Sequence, residues 1–184
     1  MPAVLIPLAQ GCEELEAVTV IDLLRRAGIE VVTAGLDNHP VRASRGVVLI
    51  PDTCLDEALK RDYDMVVLPG GAQGAEHLNR DPRVHALLIK MAANGKFTAA
   101  ICAAPRVLGA AGLLRGKRAT GYPGILRAMN FADVTVTDDA LVQDGKVITS
   151  RGPGTAMDFA LALIESLAGT HKRDEVDAQL ARDP

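Results

Sequence analysis

The chain opens on a continuous apolar run, AVLIPLA from Ala3 to Ala9. A run of that length with no polar alternation predicts a strand buried on both faces. The period then changes. In EELEAVTVIDLLRRAG the apolar residues Leu15, Val18, Ile21 with Val20, and Leu24 recur at helical spacing, and Gly28 supplies a stop. IEVVTAGL reads as a second strand, and PVRASRGVVLIPD as two short strands around SRG. YDMVVLPGG is a buried strand that ends on glycines. DPRVHALLIKMAANG predicts a helix with Asp81 as N-cap, Pro82 at the first helical position and Gly95 as the stop. FTAAIC reads as a strand and APRVLGAAG as the helix after it. VTVTDDALVQDGKVITS predicts a strand and a hairpin that turns at DG. GTAMDFALALIESLAG is a long amphipathic helix stopped by Gly169, and the charged tail from Thr170 to Pro184 has room for a short helix.

Strands alternate with helices, and several strands are apolar throughout. That pattern predicts an α/β fold: a mostly parallel sheet with helices on both faces. There is no internal repeat or linker, so residues 1–184 are expected to form one domain. Sites in such sheets lie beyond the carboxyl ends of the strands. Three segments meet that condition: AQGCEELE, LPGGAQG and CAAP.

Composition narrows the function. The formal net charge is -3 and no basic block occurs, which argues against binding nucleic acid through its phosphates. No apolar run approaches a membrane span, and the start lacks the positively charged leader of a secretion signal. Cys12, Cys54 and Cys102 are odd in number without CxxC spacing, so neither a disulfide framework nor a zinc knuckle is expected. A reducing cytoplasm is the natural compartment. His39, His77, His85 and His171 form no HxH or HExxH pair, and no metal site is expected. The phosphate-binding loop GxxxxGK[ST] is absent, and GxGxxG fails where Pro69 would have to be glycine.

Each of the three loops has a chemical reading beside a plain one. In AAICAAP, Ala100 and Ala104 flank Cys102 at two residues on each side. Small residues there let a strand turn sharply into a helix, as in a nucleophile elbow. The helix N-terminus behind such a turn favours thiolate. The plain reading is a buried cysteine acting as a small hydrophobe. Gly70 and Gly71 free backbone N–H groups to face a ligand, and with the Ala103 N–H they suit an oxyanion hole; the plain reading is a tight turn. Glu13 and Glu14 are ordinary acids at a helix start. Glu16, beside the apolar stripe, is placed to be partly buried and to exchange protons with the thiol.

Taken together and in order, AQGCEELEAVTVIDLLRRAGIEVVTAGL, VVLPGG, AAICAAPRVL and GKVITSRGPGTAMDFALALIE resemble the ThiJ/PfpI superfamily, whose domain is like that of class I glutamine amidotransferases. Within it the chain resembles the branch of the parkinsonism-associated protein and its bacterial YajL-type members. The resemblance implies a flavodoxin-like three-layer sandwich, a homodimer and no cofactor. It implies that Cys102 is the reactive cysteine, Glu16 its carboxylic partner, and Gly70, Gly71 and Ala103 the lining of a small-anion site. Arg45 and Arg26 match arginines near the site, Arg45 at that of the partner subunit, and Pro153 and Gly154 match a segment bordering the pocket and the dimer contact. Tyr122 stands where the parkinsonism-associated protein has histidine, a lack shared with YajL-type proteins. Ala103 stands where the superfamily's proteases have histidine, so peptidase activity is not expected. The activity implied is that of a glyoxalase or deglycase, on methylglyoxal or early glycation adducts. The alternative is a protective, chaperone-like protein whose cysteine is a peroxide switch.

Overall fold

A computed structural model describes residues 1–182. At its centre is a seven-stranded sheet in the order β10-β11-β7-β6-β1-β2-β5. The apolar runs supply its middle: β1 (Ala3–Leu8) lies between β2 (Glu30–Gly35) and β6 (Met65–Leu68), both parallel to it. β7 (Phe97–Ile101) and β11 (Val147–Ser150) extend the parallel array. β5 (Thr53–Cys54) closes one edge, and β10 (Leu141–Asp144) closes the other as the antiparallel half of the hairpin read at DG. The short strands around SRG, β3 (Val41–Arg42) and β4 (Val48–Leu49), pair with each other outside this sheet. β8 (Lys117–Ala119) and β9 (Val134–Val136) form a third, parallel pair. The arrangement is the mostly parallel sheet with helices around it that the pattern predicts, and the flavodoxin-like α/β sandwich that the resemblance implies.

Helices cover the sheet. α1 (Glu14–Arg26) packs against α7 (Ala156–Ala168), which in turn carries α8 (Thr170–Gln179). α3 (Ala72–Arg80) packs against α4 (Pro82–Ala93) and α5 (Pro105–Ala110). α2 (Leu55–Ala58) and α6 (Ile125–Met129) are short connecting turns. Asp81 caps α4 as expected, its carboxylate accepting from the Arg83 N–H at 2.9 Å. Gly169 ends α7 with φ of 85°.

One helix is oriented differently from its apolar stripe. The face of α1 turned inward carries Glu16, Ala17, Val20, Leu23 and Leu24. Leu15 and Val18, at the head of the stripe, remain 51% and 46% exposed. At 100° per residue the two stripes overlap only in part, and the sheet selects the one that includes Glu16. No described helix is long and apolar enough to cross a membrane.

Candidate active site

Cys102 follows β7 directly and has φ of 63°, inside the left-handed region that non-glycine residues avoid. Both of its backbone groups are tied down. Its N–H donates to the Ser150 carbonyl at 3.0 Å, and its carbonyl accepts from the Tyr122 N–H at 2.7 Å. A strained conformation persists only where its surroundings over-determine it, and these two bonds supply that constraint. Ala100 and Ala104 are fully buried, leaving no room for larger residues around the turn. The plain reading of Cys102, a buried thiol acting as a small hydrophobe, gives no reason for the strained backbone. The residue is buried, keeping 8% of its surface.

Glu16 projects from the first turn of α1 into the sheet mouth and has no solvent exposure. Its Oε2 accepts from the Gly70 N–H at 2.8 Å. Its Oε1 is buried with no hydrogen-bond partner. The carboxyl lies against the Cys102 thiol, and each shifts the other's titration. Burial pushes the Glu16 carboxyl up to about 7, while Cys102 and the Gly70 N–H pull it down. Burial pushes the Cys102 thiol up to about 12; the Glu16 charge adds to the rise, and the N–H groups of Gly71 and Ala103 oppose it.

The thiol therefore departs from the simple expectation that a helix start depresses its pKa. α5 is only six residues long, and burial beside a carboxylate outweighs it. The two groups are best described as one unit that holds a single proton through neutral pH, because removing both leaves adjacent negative charges. A carboxylate Oε1 buried without a donor is costly; protonated, it becomes a donor for the neighbouring sulfur. With Glu16 raised to about 7 and Cys102 to about 12, the carboxyl gives up its proton first, and the thiolate beside a protonated Glu16 is the minor arrangement of the same single-proton unit.

The glycines after β6 make this approach possible. A Cβ on Gly70 would lie 2.6 Å from both Cys102 Cβ and Glu16 Oε2. Gly71 has φ of 84°, and a Cβ there would run into the Gly11 carbonyl. Gly71 is also the residue at which α3 begins, so that helix and the Cys102 elbow converge on the sulfur.

The remaining candidates fall into two groups. Tyr122 borders the elbow through its backbone, and its exposed ring lies beside Gly152, next to the turn Pro153–Thr155. Arg26 and Arg45 are not brought to Cys102 within one chain. Arg26 lies ten residues beyond Glu16 on α1, about 15 Å along the axis, and pairs with Asp22. Arg45 lies in the exposed turn between β3 and β4. Cys12 is buried, its thiol pushed up to about 12 by burial and Glu14, and Cys54 is half-buried; all three cysteines are free. No cluster of metal-ligating side chains occurs among the described residues. A cavity of about 370 Å³ at the carboxyl ends of β1 and β2, lined by Gln10, Asp37, His77 and Arg80 among others, contains none of these residues.

Glu14 is the residue the sequence pattern does not reveal. Its carboxylate is buried and accepts from the Ser44 hydroxyl at 3.0 Å and the Arg45 N–H at 2.9 Å, with a longer contact to the Val47 N–H. It fastens the turn between β3 and β4 to the start of α1. The partners are some thirty residues away in sequence, and no local signal marks the pairing.

Comparison with known proteins places the chain among relatives. The family model described as DJ-1/PfpI matches residues 2–166. The chain is 41% identical to protein DJ-1 homolog A of Arabidopsis thaliana across 98% of its own length, and spans about half (47%) of that longer relative. It is 34% identical to the glutathione-independent glyoxalase DJR-1.2 of Caenorhabditis elegans, over 91% of this chain and 89% of the relative. The crystal structure of Drosophila melanogaster DJ-1beta superposes with a TM-score of 0.94 at 42% identity, covering 100% of this chain and 99% of that one. On the family model and these identities, the chain belongs to the DJ-1/PfpI family.

Proposed function

We propose that this chain is a cysteine-dependent enzyme of the glyoxalase type, acting on small α-oxoaldehydes such as methylglyoxal. The observation that carries the reading is the Glu16–Cys102 unit, with the N–H groups of Gly71 and Ala103 directed at the sulfur. The resemblance to a relative named as a glutathione-independent glyoxalase supports it.

In this reading the Cys102 thiolate adds to the aldehyde carbon and forms a hemithioacetal. The N–H groups of Gly71 and Ala103 hold the oxygen as its charge develops. Glu16 gives its proton to that oxygen and, now ionised, removes the proton from the carbon and returns it to the neighbouring carbonyl carbon, converting the hemithioacetal into a 2-hydroxy thioester. Water then cleaves the thioester, releasing the 2-hydroxy acid and restoring the thiol. The balance is one oxoaldehyde and one water consumed per hydroxy acid formed, with no external oxidant or cofactor. Early glycation adducts of the same aldehydes, which carry the same carbon skeleton on an amine or thiol, are the related deglycase substrates.

A second copy of the chain belongs to this reading. Leu15, Val18, Val47, Val48, Ile50 and Met157 are exposed apolar residues of α1, the β3–β4 segment and α7. Glu14 joins the first two of these elements and helix packing the first and third. A homodimer formed on that patch would bring Arg45 toward the partner's site. Its compartment is a reducing one, where Cys102 remains a thiol.

The peroxide-switch reading draws on the same feature: an unpartnered Glu16 Oε1 would also hold a sulfinate on Cys102. Lactate production from methylglyoxal decides between them. Wild type should form lactate steadily and Cys102→Ser none. If wild type forms none but gains two oxygens on Cys102 under mild peroxide, the enzyme reading fails and the switch stands.

A further inference from the structure

Two helices start at the candidate site. α3 begins at Gly71, and α5 begins just beyond Cys102 and Ala103. The distance between these two starts bears on whether the Gly71 N–H reaches the sulfur, because Gly71 caps α3 and Cys102 lies three residues before α5. Gly71 itself has no side chain with which to hold that distance. Backbone bonds from the Glu13 N–H to the Gly70 carbonyl and from the Gly74 N–H to the Gly11 carbonyl tie this segment to α1, and a side-chain bridge ties it to α5. Arg106, the second residue of α5, pairs through Nη2 with Oε2 of Glu76, which lies five residues into α3.

Most ion pairs in this protein join exposed side chains, and such pairs hold little. The Arg106 side chain is only 16% exposed, and Glu76 is 36% exposed. Oε1 of Glu76 takes the Nε of Arg80 at 2.6 Å, so the carboxylate is held on both oxygens. The Nε of Arg106 is buried with no partner, which leaves Glu76 as the group that anchors this guanidinium. Both bridging residues lie within about a turn and a half of their helix starts, close enough for the bridge to bear on the position of the Gly71 N–H.

We propose that the Glu76–Arg106 ion pair is a positioning clamp that holds the start of α3, with its Gly71 N–H, against the start of α5, which follows Cys102. Neither residue touches the reacting atoms. The clamp acts through the backbone donor that stabilises negative charge on sulfur, and it rests on the reading of Cys102 as the reactive thiol. The other groups acting on the sulfur are Glu16 on α1 and the Ala103 N–H; Glu13 acts through Glu16. A change in the clamp leaves those in place and removes one contribution.

The test uses the full chain with Glu76→Gln, Arg106→Met and both together. Alkylation of Cys102 by iodoacetamide is followed across pH, with the modified peptide identified by mass so that Cys12 and Cys54 are counted separately. Each single variant is expected to slow Cys102 alkylation at neutral pH about tenfold, the scale of one hydrogen bond to a charged group. The rising limb of its pH profile should move upward. The double variant should be no slower than either single one, because the two residues form one unit. Arg106→Lys keeps the charge but loses the planar fork, and should fall between wild type and Arg106→Met. If Arg106→Met does not fold, Arg106→Lys and Glu76→Gln carry the comparison. Wild-type alkylation rates and an unmoved limb in folded variants, even with a lowered melting temperature, would overturn the clamp and leave a purely structural ion pair. Losses that multiply in the double variant would overturn it as well. Alkylation does not require turnover, so a wild type that makes no lactate would defeat the glyoxalase reading without deciding the clamp.

Discussion

Glu16 is the residue on which stability and chemistry pull against each other. Its ordinary carboxyl pKa is 4.5, and burial raises it to about 7 in the fold. Between those values the folded state binds a proton that the unfolded state has released, so stability falls as pH rises through that window. The span corresponds to about 3 kcal/mol, at 1.36 kcal/mol per pH unit. Glu16→Gln removes the ionisation. The variant is expected to lose most of the fall in melting temperature between pH 5 and pH 8, measured by calorimetry against wild type. It should also lose about 10² to 10⁴ of its turnover with methylglyoxal, the usual contribution of a positioned acid–base group. Cys102 in that variant should still alkylate, with its limb displaced downward because the Glu16 charge no longer adds to the rise. Turnover at the wild-type level in Glu16→Gln would remove this residue from the mechanism. The position of Glu16 in the first helical turn beside an apolar stripe was legible in the sequence. The state of Cys102 was not, because the rise in its pKa comes from packing by segments remote in the chain.

At the scale of elements, the loops after β1, β6 and β7 were legible because each ends an apolar run on small or acidic residues. The helix α3 was not. AQGAEHLNR starts directly after two glycines, contains a third, and carries few apolar residues to set a period. It is nonetheless held tightly: a Cβ on Gly74 would lie 2.6 Å from Cys12 Cα, so α3 packs on the turn before α1. The same crowding makes Gly70 a sharp probe of the site. The Cβ of Gly70→Ala would enter the space shared by Cys102 and Glu16 and push the carboxyl from the thiol. The expected result is a folded protein in which Cys102 no longer responds to the Glu16→Gln change, read by alkylation in the double variant. The latch at Glu14 belongs to this scale too. Burial pushes its carboxyl up, but the Ser44 hydroxyl and the N–H groups of Arg45 and Val47 outweigh that and hold it below its ordinary value. Glu14→Ala leaves these donors without an acceptor and is expected to cost about 1 to 3 kcal/mol. Hydrogen exchange at Arg45 and Val47 should quicken while the core strands stay protected. Unchanged exchange there would show that the turn does not depend on the carboxylate.

For the whole molecule, the expectation hardest to judge from sequence was which face of α1 turns inward. Leu15 and Val18 fit a helical stripe, yet the fold leaves them exposed, as it does Val47, Val48, Ile50 and Met157. A period of apolar residues does not say whether the covering layer is the chain's own sheet or another copy. Ile50 is 83% exposed at the end of the hairpin that Glu14 ties to α1. Exposed apolar residues grouped on one side of a soluble protein mark a contact surface. A homodimer on this patch predicts twice the 19.4 kDa chain mass by light scattering. Ile50→Asp and Val18→Asp, each placing a charge in the contact, should return it to a single chain. Both positions are exposed in the isolated chain, so the melting temperature at low protein concentration should change little. If Arg45 reaches the partner's site, the separated chains should also show a raised KM with the alkylation limb of Cys102 unmoved, since Glu16, Gly71 and Ala103 all come from the same chain as the thiol. A wild type that scatters as a single chain would remove the partner from the site, and the activity would then rest on one chain alone.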